Sequence, residues 1–79
     1  MNRNEVLSGL NEIFIDVIDE DEIVLTEVTT GDDIEEWDSL IHIQIVLSVE
    51  RHFGISISAS EVFTLNNIGE FISLIMRKK

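Results

Sequence analysis

Apolar residues recur at Val6, Leu7, Leu10, Ile13, Phe14, Val17 and Ile18. Steps of three and four mark a helix with one buried face. A helix is therefore predicted from Asn4 to about Ile18, capped by Asn4 or Asn2. The next long helical stretch begins at Ser39 and runs to about Phe53, with Asp38 as its N-cap and Gly54 as its C-terminal stop. At about 100° per residue, Ile45, Val46, Val49 and Phe53 share one face with His42. Leu40, Ile43 and Leu47 share another. Either a small bundle surrounds this helix on several sides, or the second stripe is a partly exposed docking or ligand-lining patch. Ser58 and Glu61 then have the spacing of a capping box and open a short helix through about Phe63. Asn67 caps a last helix, in which Ile68, Phe71, Ile72, Ile75 and Met76 fall on one face. Arg77, Lys78 and Lys79 close it, where cations complement the helix dipole.

Between the first two helices lies a connection over residues 19–37, long for a compact domain. Thr26, Thr29, Thr30 and Gly31 are turn material, and Ile23, Val24, Leu25, Val28, Ile34 and Trp37 are expected to pin it over the bundle. Residues 23–28 could pass for a strand, but one isolated strand has nothing to pair with. The pattern thus predicts an all-α fold, a small four-helix bundle of three longer helices and one short helix with a long first loop. It forms a single domain over residues 1–79.

Composition narrows the possibilities. With 79 residues and no cysteine, neither a disulfide nor a thiolate metal site supports the fold. Hydrophobic residues make up 44%, too many for a disordered tail. No apolar run approaches the roughly 18 residues of a membrane span. Nothing at the N-terminus has the pattern of a signal peptide, so a cytoplasmic protein is expected. The formal net charge is −11, and eleven of the sixteen acids lie between Asp16 and Asp38 with no Lys or Arg among them. Such a field repels nucleic acid. It is either a solvated surface or a docking field for basic partners. Asp19, Asp21 and Ile23 begin like a calcium loop, but Ile23 stands where an oxygen ligand belongs and the glycine of the turn is missing.

Candidate chemistry reduces to one residue. His42 falls on the core face of the second helix, and His52 lies near its end. Ser39, His42 and Asp38 invite comparison with a catalytic triad, but Ser39 has no G-x-S-x-G elbow around it and His42 points toward the core. Little chain remains to build a substrate pocket. An enzyme is not expected. Ser39 itself ends the acidic connection and opens the helix with the extra stripe, an exposed and rigidly presented hydroxyl.

The ordered set Asp38-Ser39-Leu40, Val49 to Ile57 ("VERHFGISI") and Asn66 to Ile75 ("NNIGEFISLI") resembles the acyl carrier proteins. Those proteins show Asp-Ser-Leu at the start of the second helix and Glu-x-x-Phe-Gly-Ile at its end, here Glu50, Phe53, Gly54 and Ile55. The resemblance implies that a phosphopantetheinyl transferase attaches 4′-phosphopantetheine, taken from coenzyme A, to Ser39 through a phosphodiester. It implies that the arm's thiol carries acyl or aminoacyl groups as thioesters. Partners would be an acyl- or aminoacyl-loading enzyme and downstream transferases or synthases with basic docking surfaces, met by a monomer. They would dock on Glu35, Glu36, Trp37, Asp38, Leu40, Ile43, Leu47 and Glu50. Trp37 in front of Asp-Ser-Leu, with Glu50 the one acid inside the helix, looks more like carriers of specialised pathways than of bulk fatty acid synthesis. The competing class is an unmodified helical interaction module that binds a partner through its apolar helix face.

The crowded acids yield a prediction. Raising salt from about 0.01 M to about 0.1 M shortens the Debye length from ~30 Å to ~10 Å and screens their repulsion. The melting temperature should rise with salt, while arm attachment should slow. A Glu35→Lys, Glu36→Lys double variant should lose most of that salt dependence of attachment. A rate that is flat with salt and equal in the variant would reduce the acids to solvated surface.

Overall fold

Helix α1 spans Arg3–Ile18 and starts one residue earlier than its apolar pattern suggests, because Asn2 is the cap. The structure, a computed structural model, describes residues 2–79. The Asn2 side chain accepts from the Glu5 N–H at 2.9 Å, and the Glu5 carboxylate accepts from the Asn2 N–H at 3.1 Å. Two first-turn donors are thus satisfied reciprocally. Helix α2 spans Ser39–Phe53, and Gly54 ends it in the left-handed region at φ 67°. Helix α3 is the single turn Ala59–Val62, and α4 spans Ile68–Lys78. A 3-10 turn, Gly31–Asp33, interrupts the long connection.

The helices share one core. Val6, Leu10 and Phe14 of α1 meet Ile45 and Val49 of α2 and Ile68, Phe71, Ile72 and Ile75 of α4. Leu74 is buried as well, although it lies outside the face expected for α4. That helix is enclosed over a wider arc than one stripe provides. Gly9 lets α1 and α2 approach closely, since a Cβ there would stand 2.9 Å from the Phe53 ring. Lys79 reaches across and donates from Nζ to the Phe53 carbonyl at 2.9 Å.

The long connection is held by side chains and by the start of α4. Asn11 of α1 donates to the Ile23 carbonyl at 3.1 Å and accepts from the Leu25 N–H at 2.6 Å. One amide side chain thus takes the place of a neighbouring strand. Leu25 is buried, and Ile23, Ile34 and Trp37 pack against the core as expected. Val24 and Val28 do not; they are 80% and 78% exposed. Val24 points away between its two anchored neighbours. Val28 sits in the Thr26–Thr29 turn, closed by Thr29 N–H on the Thr26 carbonyl at 3.2 Å and Thr26 N–H on Thr29 Oγ1 at 2.9 Å.

Three N–H groups open α4, and each has a partner. Ile68 donates to the Thr29 carbonyl at 2.9 Å, Gly69 to the Glu27 carbonyl at 2.7 Å, and Glu70 to the Asn67 side chain at 2.8 Å. Arg3 fastens the same corner. Its guanidinium contacts the Glu27 carboxylate at 2.6 Å, Ser73 Oγ at 3.1 Å and the Gly69 carbonyl at 3.1 Å. The hydrogen bonds from Arg3 to its carboxylate, and the Arg3 charge, hold Glu27 below its ordinary range.

Two predictions arise from this corner and its neighbour. A Cβ at residue 69 would lie 2.9 Å from the Glu27 carbonyl oxygen, which is backbone and cannot swing aside. Gly69→Ala should therefore destabilise by about 1–3 kcal/mol, in the range of overpacked sites, read as a drop of about 4–8 °C in melting temperature per kcal/mol. An unchanged melt would mean that the loop is not seated on α4. Glu61 accepts from the Ser58 N–H at 2.9 Å, meets Lys78 at 3.0 Å and accepts from the Ser58 hydroxyl at 2.9 Å. Together these lower its carboxyl from 4.5 to about 2. A carboxylate depressed in the folded state stabilises above its unfolded value and loses that contribution as pH falls through the folded one. The stability advantage of wild type over Glu61→Gln should thus be constant above pH 4.5 and shrink as pH drops towards 2. Urea unfolding at several pH values reads it, and a difference that does not vary with pH would contradict the pairing.

Candidate functional site

The start of α2 builds the site. Trp37 N–H bonds to the Ile34 carbonyl at 3.1 Å and Asp38 N–H to the Glu36 carbonyl at 3.0 Å, turning the chain into the helix. Asp38 stays extended, at φ −97° and ψ −175°. Its side chain accepts from the Ile41 N–H at 2.9 Å, and its carbonyl takes the first helical bond from His42 at 2.8 Å. Ser39 is therefore the first residue of α2, and it is exposed. Its hydroxyl stands at the positive end of the helix dipole, a setting that favours an attached or bound anion.

Behind Ser39 the wall is aromatic. Trp37 turns inward and meets Phe14 edge-on, with centroids 4.9 Å apart and planes at 90°. Its indole N–H donates to His42 Nδ1 at 2.9 Å. His42 is 7% exposed, and its Nε2 bonds the Val62 carbonyl at the end of α3. Gly31, Trp37, Asp38, Ser39, His42, Phe63 and Leu65 enclose an open cavity of about 190 Å³. Phe63, 65% exposed, forms its outer edge. Capping patterns placed Phe63 at the end of α3, but nothing in the sequence spacing brings Phe63, Leu65 or Gly31 next to Ser39. The fold does that by folding α3 back against the start of α2.

The two stripes of α2 separate cleanly. His42, Ile45, Val46, Val49 and Phe53 are buried. Leu40, Ile43 and Leu47 are exposed, at 66%, 43% and 53%, and continue from Ser39 along the outer face. The bundle does not surround α2 on this side. Glu35 and Glu36 are exposed beside the helix start, and with Glu20, Glu22 and Asp33 they line an open cavity of about 340 Å³. Two residues expected at the docking surface are engaged internally. Trp37 is half-buried in the contacts above, and Glu50 accepts from the Ile57 N–H at 2.8 Å. Among the described residues no group of histidines and acids has the arrangement of a metal site.

Comparison with known proteins agrees with this geometry. Residues 8–75 match the family model described as a phosphopantetheine attachment site. The chain belongs to the acyl carrier protein family. It is 29% identical over 80 residues to an acyl carrier protein of Petrotoga mobilis, covering 99% of this chain and 92% of that one. It superimposes with a TM-score of 0.84 on the solution structure of the holo acyl carrier protein of Geobacter metallireducens. That match has 40% sequence identity over 91% of this chain and 83% of the other.

The prosthetic group of a carrier of this family is 4′-phosphopantetheine. The residues at the start of α2 fit it. An exposed serine hydroxyl lies at a helix N-terminus that favours a phosphate, with the apolar stripe of Leu40, Ile43 and Leu47 alongside. When attached, the arm supplies a thiol that holds acyl groups, which this cysteine-free carrier lacks on its own chain. No helix is long and apolar enough to cross a membrane.

Proposed function

We propose that Ser39 bears the 4′-phosphopantetheine arm and that the protein holds acyl or aminoacyl groups as thioesters and delivers them to partner enzymes of a specialised cytoplasmic pathway. The observation that carries this reading is the exposed Ser39 hydroxyl at the first position of α2. An Asp38 oxygen is committed to the Ile41 N–H, and both His42 nitrogens are engaged by Trp37 and Val62. On this reading a phosphopantetheinyl transferase brings the chemistry that activates the serine hydroxyl.

Leu40, Ile43 and Leu47 give partners an apolar strip beside the arm, and Glu35, Glu36 and Asp38 give it an acidic rim. Such a surface favours basic partners and fast, salt-sensitive encounters. A carrier must leave each enzyme to reach the next, so a small exposed strip suits it better than a deep one. Trp37 contributes from inside, by shaping the wall behind Ser39.

Incubation with coenzyme A and a broad-range phosphopantetheinyl transferase, followed by intact-mass measurement, tests the attachment. Wild type should gain one arm, and Ser39→Ala should gain none while keeping its helical circular dichroism. Modification that persists in Ser39→Ala, or that maps to Ser48 or Ser60, would overturn the assignment. No gain in wild type would favour the unmodified interaction module.

A further inference from the structure

Carrier function leaves one buried polar group unused. His42 lies beneath Ser39, 7% exposed, and both of its ring nitrogens are committed. An indole N–H only donates. The 2.9 Å bond from Trp37 Nε1 therefore requires a lone pair on His42 Nδ1. The ring must be neutral with its proton on Nε2, and that N–H donates to the Val62 carbonyl. The imidazole thus ties together three elements that converge on the serine: the end of the long connection through Trp37, α2 itself, and α3 through Val62. Both Trp37 and His42 line the cavity next to Ser39.

A second proton on the ring would go to Nδ1 and face the indole N–H, donor against donor. The positive form and the Trp37 bond exclude each other in this geometry. The neighbouring rings offer the new N–H no oxygen or nitrogen acceptor. Phe63 stands at 5.7 Å and Phe71 of α4 at 6.1 Å between ring centroids, and Phe14 of α1 backs Trp37. Of the residues lining the cavity with His42, only Asp38 carries a charge, and one of its oxygens caps α2.

We propose that neutral His42 is the positioning residue of the Ser39 site, holding Trp37 on one side and α3 on the other, and that protonation of its Nδ1 releases Trp37 and slows modification of Ser39. The second half rests on the reading of Ser39 as the attachment residue; the first half stands without it. Gln at residue 42 offers one acceptor and one donor group on a single plane and does not titrate near neutrality, so it separates structure from protonation.

The experiment follows the unmodified protein down a pH series until the His42 ring takes up its second proton. Proton–nitrogen NMR reads the His42 ring, with His52→Gln as background to remove the other imidazole. Trp37 is the single tryptophan, so its indole signal and fluorescence report it alone. At the upper pH the ring should show the Nε2–H tautomer. On acidification the Trp37 signals should shift with the same midpoint as the ring. They should stay flat in His42→Gln. The rate of arm attachment, taken as the ratio of wild type to His42→Gln at each pH, should fall through that midpoint by up to about tenfold, the worth of one hydrogen bond. Should His42→Gln fail to fold, Trp37→Phe serves instead, and loss of the indole donor should spread the ring proton over both nitrogens. An Nδ1–H tautomer in wild type, Trp37 signals that titrate equally in His42→Gln, or a tautomer unmoved in Trp37→Phe would overturn the tie. A rate ratio flat with pH while Trp37 titrates would overturn the positioning role. A protein that shows the Trp37 titration but accepts no arm at all would instead refute Ser39 as the attachment residue.

Discussion

The seating of the long connection on the first turn of α4 is the constraint on which the rest depends. The start of a helix exposes backbone N–H groups that must find acceptors. Here the Thr29 and Glu27 carbonyls supply two of them, and Asn67 supplies a third. The same contacts satisfy carbonyls of the connection, so one set of hydrogen bonds closes two open accounts. Arg3 adds the start of α1 to the junction. The ion pair within it is nearly half exposed and contributes little by itself. Its role is to bring three segments to one point.

With its middle held there, the connection can deliver its end to α2 in one orientation. Trp37 enters the core against Phe14, Asp38 caps the helix, and Ser39 emerges into solvent. The turn is rigid because each residue has a separate anchor: ring packing for Trp37, a side-chain cap for Asp38, the helical ladder for Ser39 onward. The Ser39 hydroxyl is thus preset. The exposed stripe and acidic rim lie on the same side as that hydroxyl, while three of the five basic residues gather at the end of α4, where Lys78 meets Glu61 and Lys79 meets the end of α2.

Helix periodicity, caps and the serine were legible in the sequence for a local reason. The caps at Asp38 and Asn67, the Ser58–Glu61 pairing and the Gly54 stop involve residues within four positions of one another, so spacing alone reveals them. The two faces of α2 were likewise visible as an angular pattern. The ordered motifs from Asp38 to Ile75 carried the family resemblance, and with it the prosthetic group. The acidic balance needed no structure at all.

Tertiary structure decided what distance in the chain conceals. Which stripe of α2 faces solvent depends on where α1 and α4 pack, and they pack against Ile45 and Val49, leaving Leu40, Ile43 and Leu47 uncovered. Val24 and Val28 are as apolar as Leu25, yet only Leu25 is buried, because Asn11 of α1 holds the backbone of Ile23 and Leu25. Leu74 is enclosed by the bundle rather than by its own stripe. Phe63 and Leu65 reach Ser39 only through the fold, and His42, bonded to Trp37, reaches Val62 across twenty residues. Local chemistry sets where helices begin, end and carry a serine. Contacts between residues remote in sequence set which surfaces remain free and which polar groups share a proton, and these exist only once the chain has closed on itself.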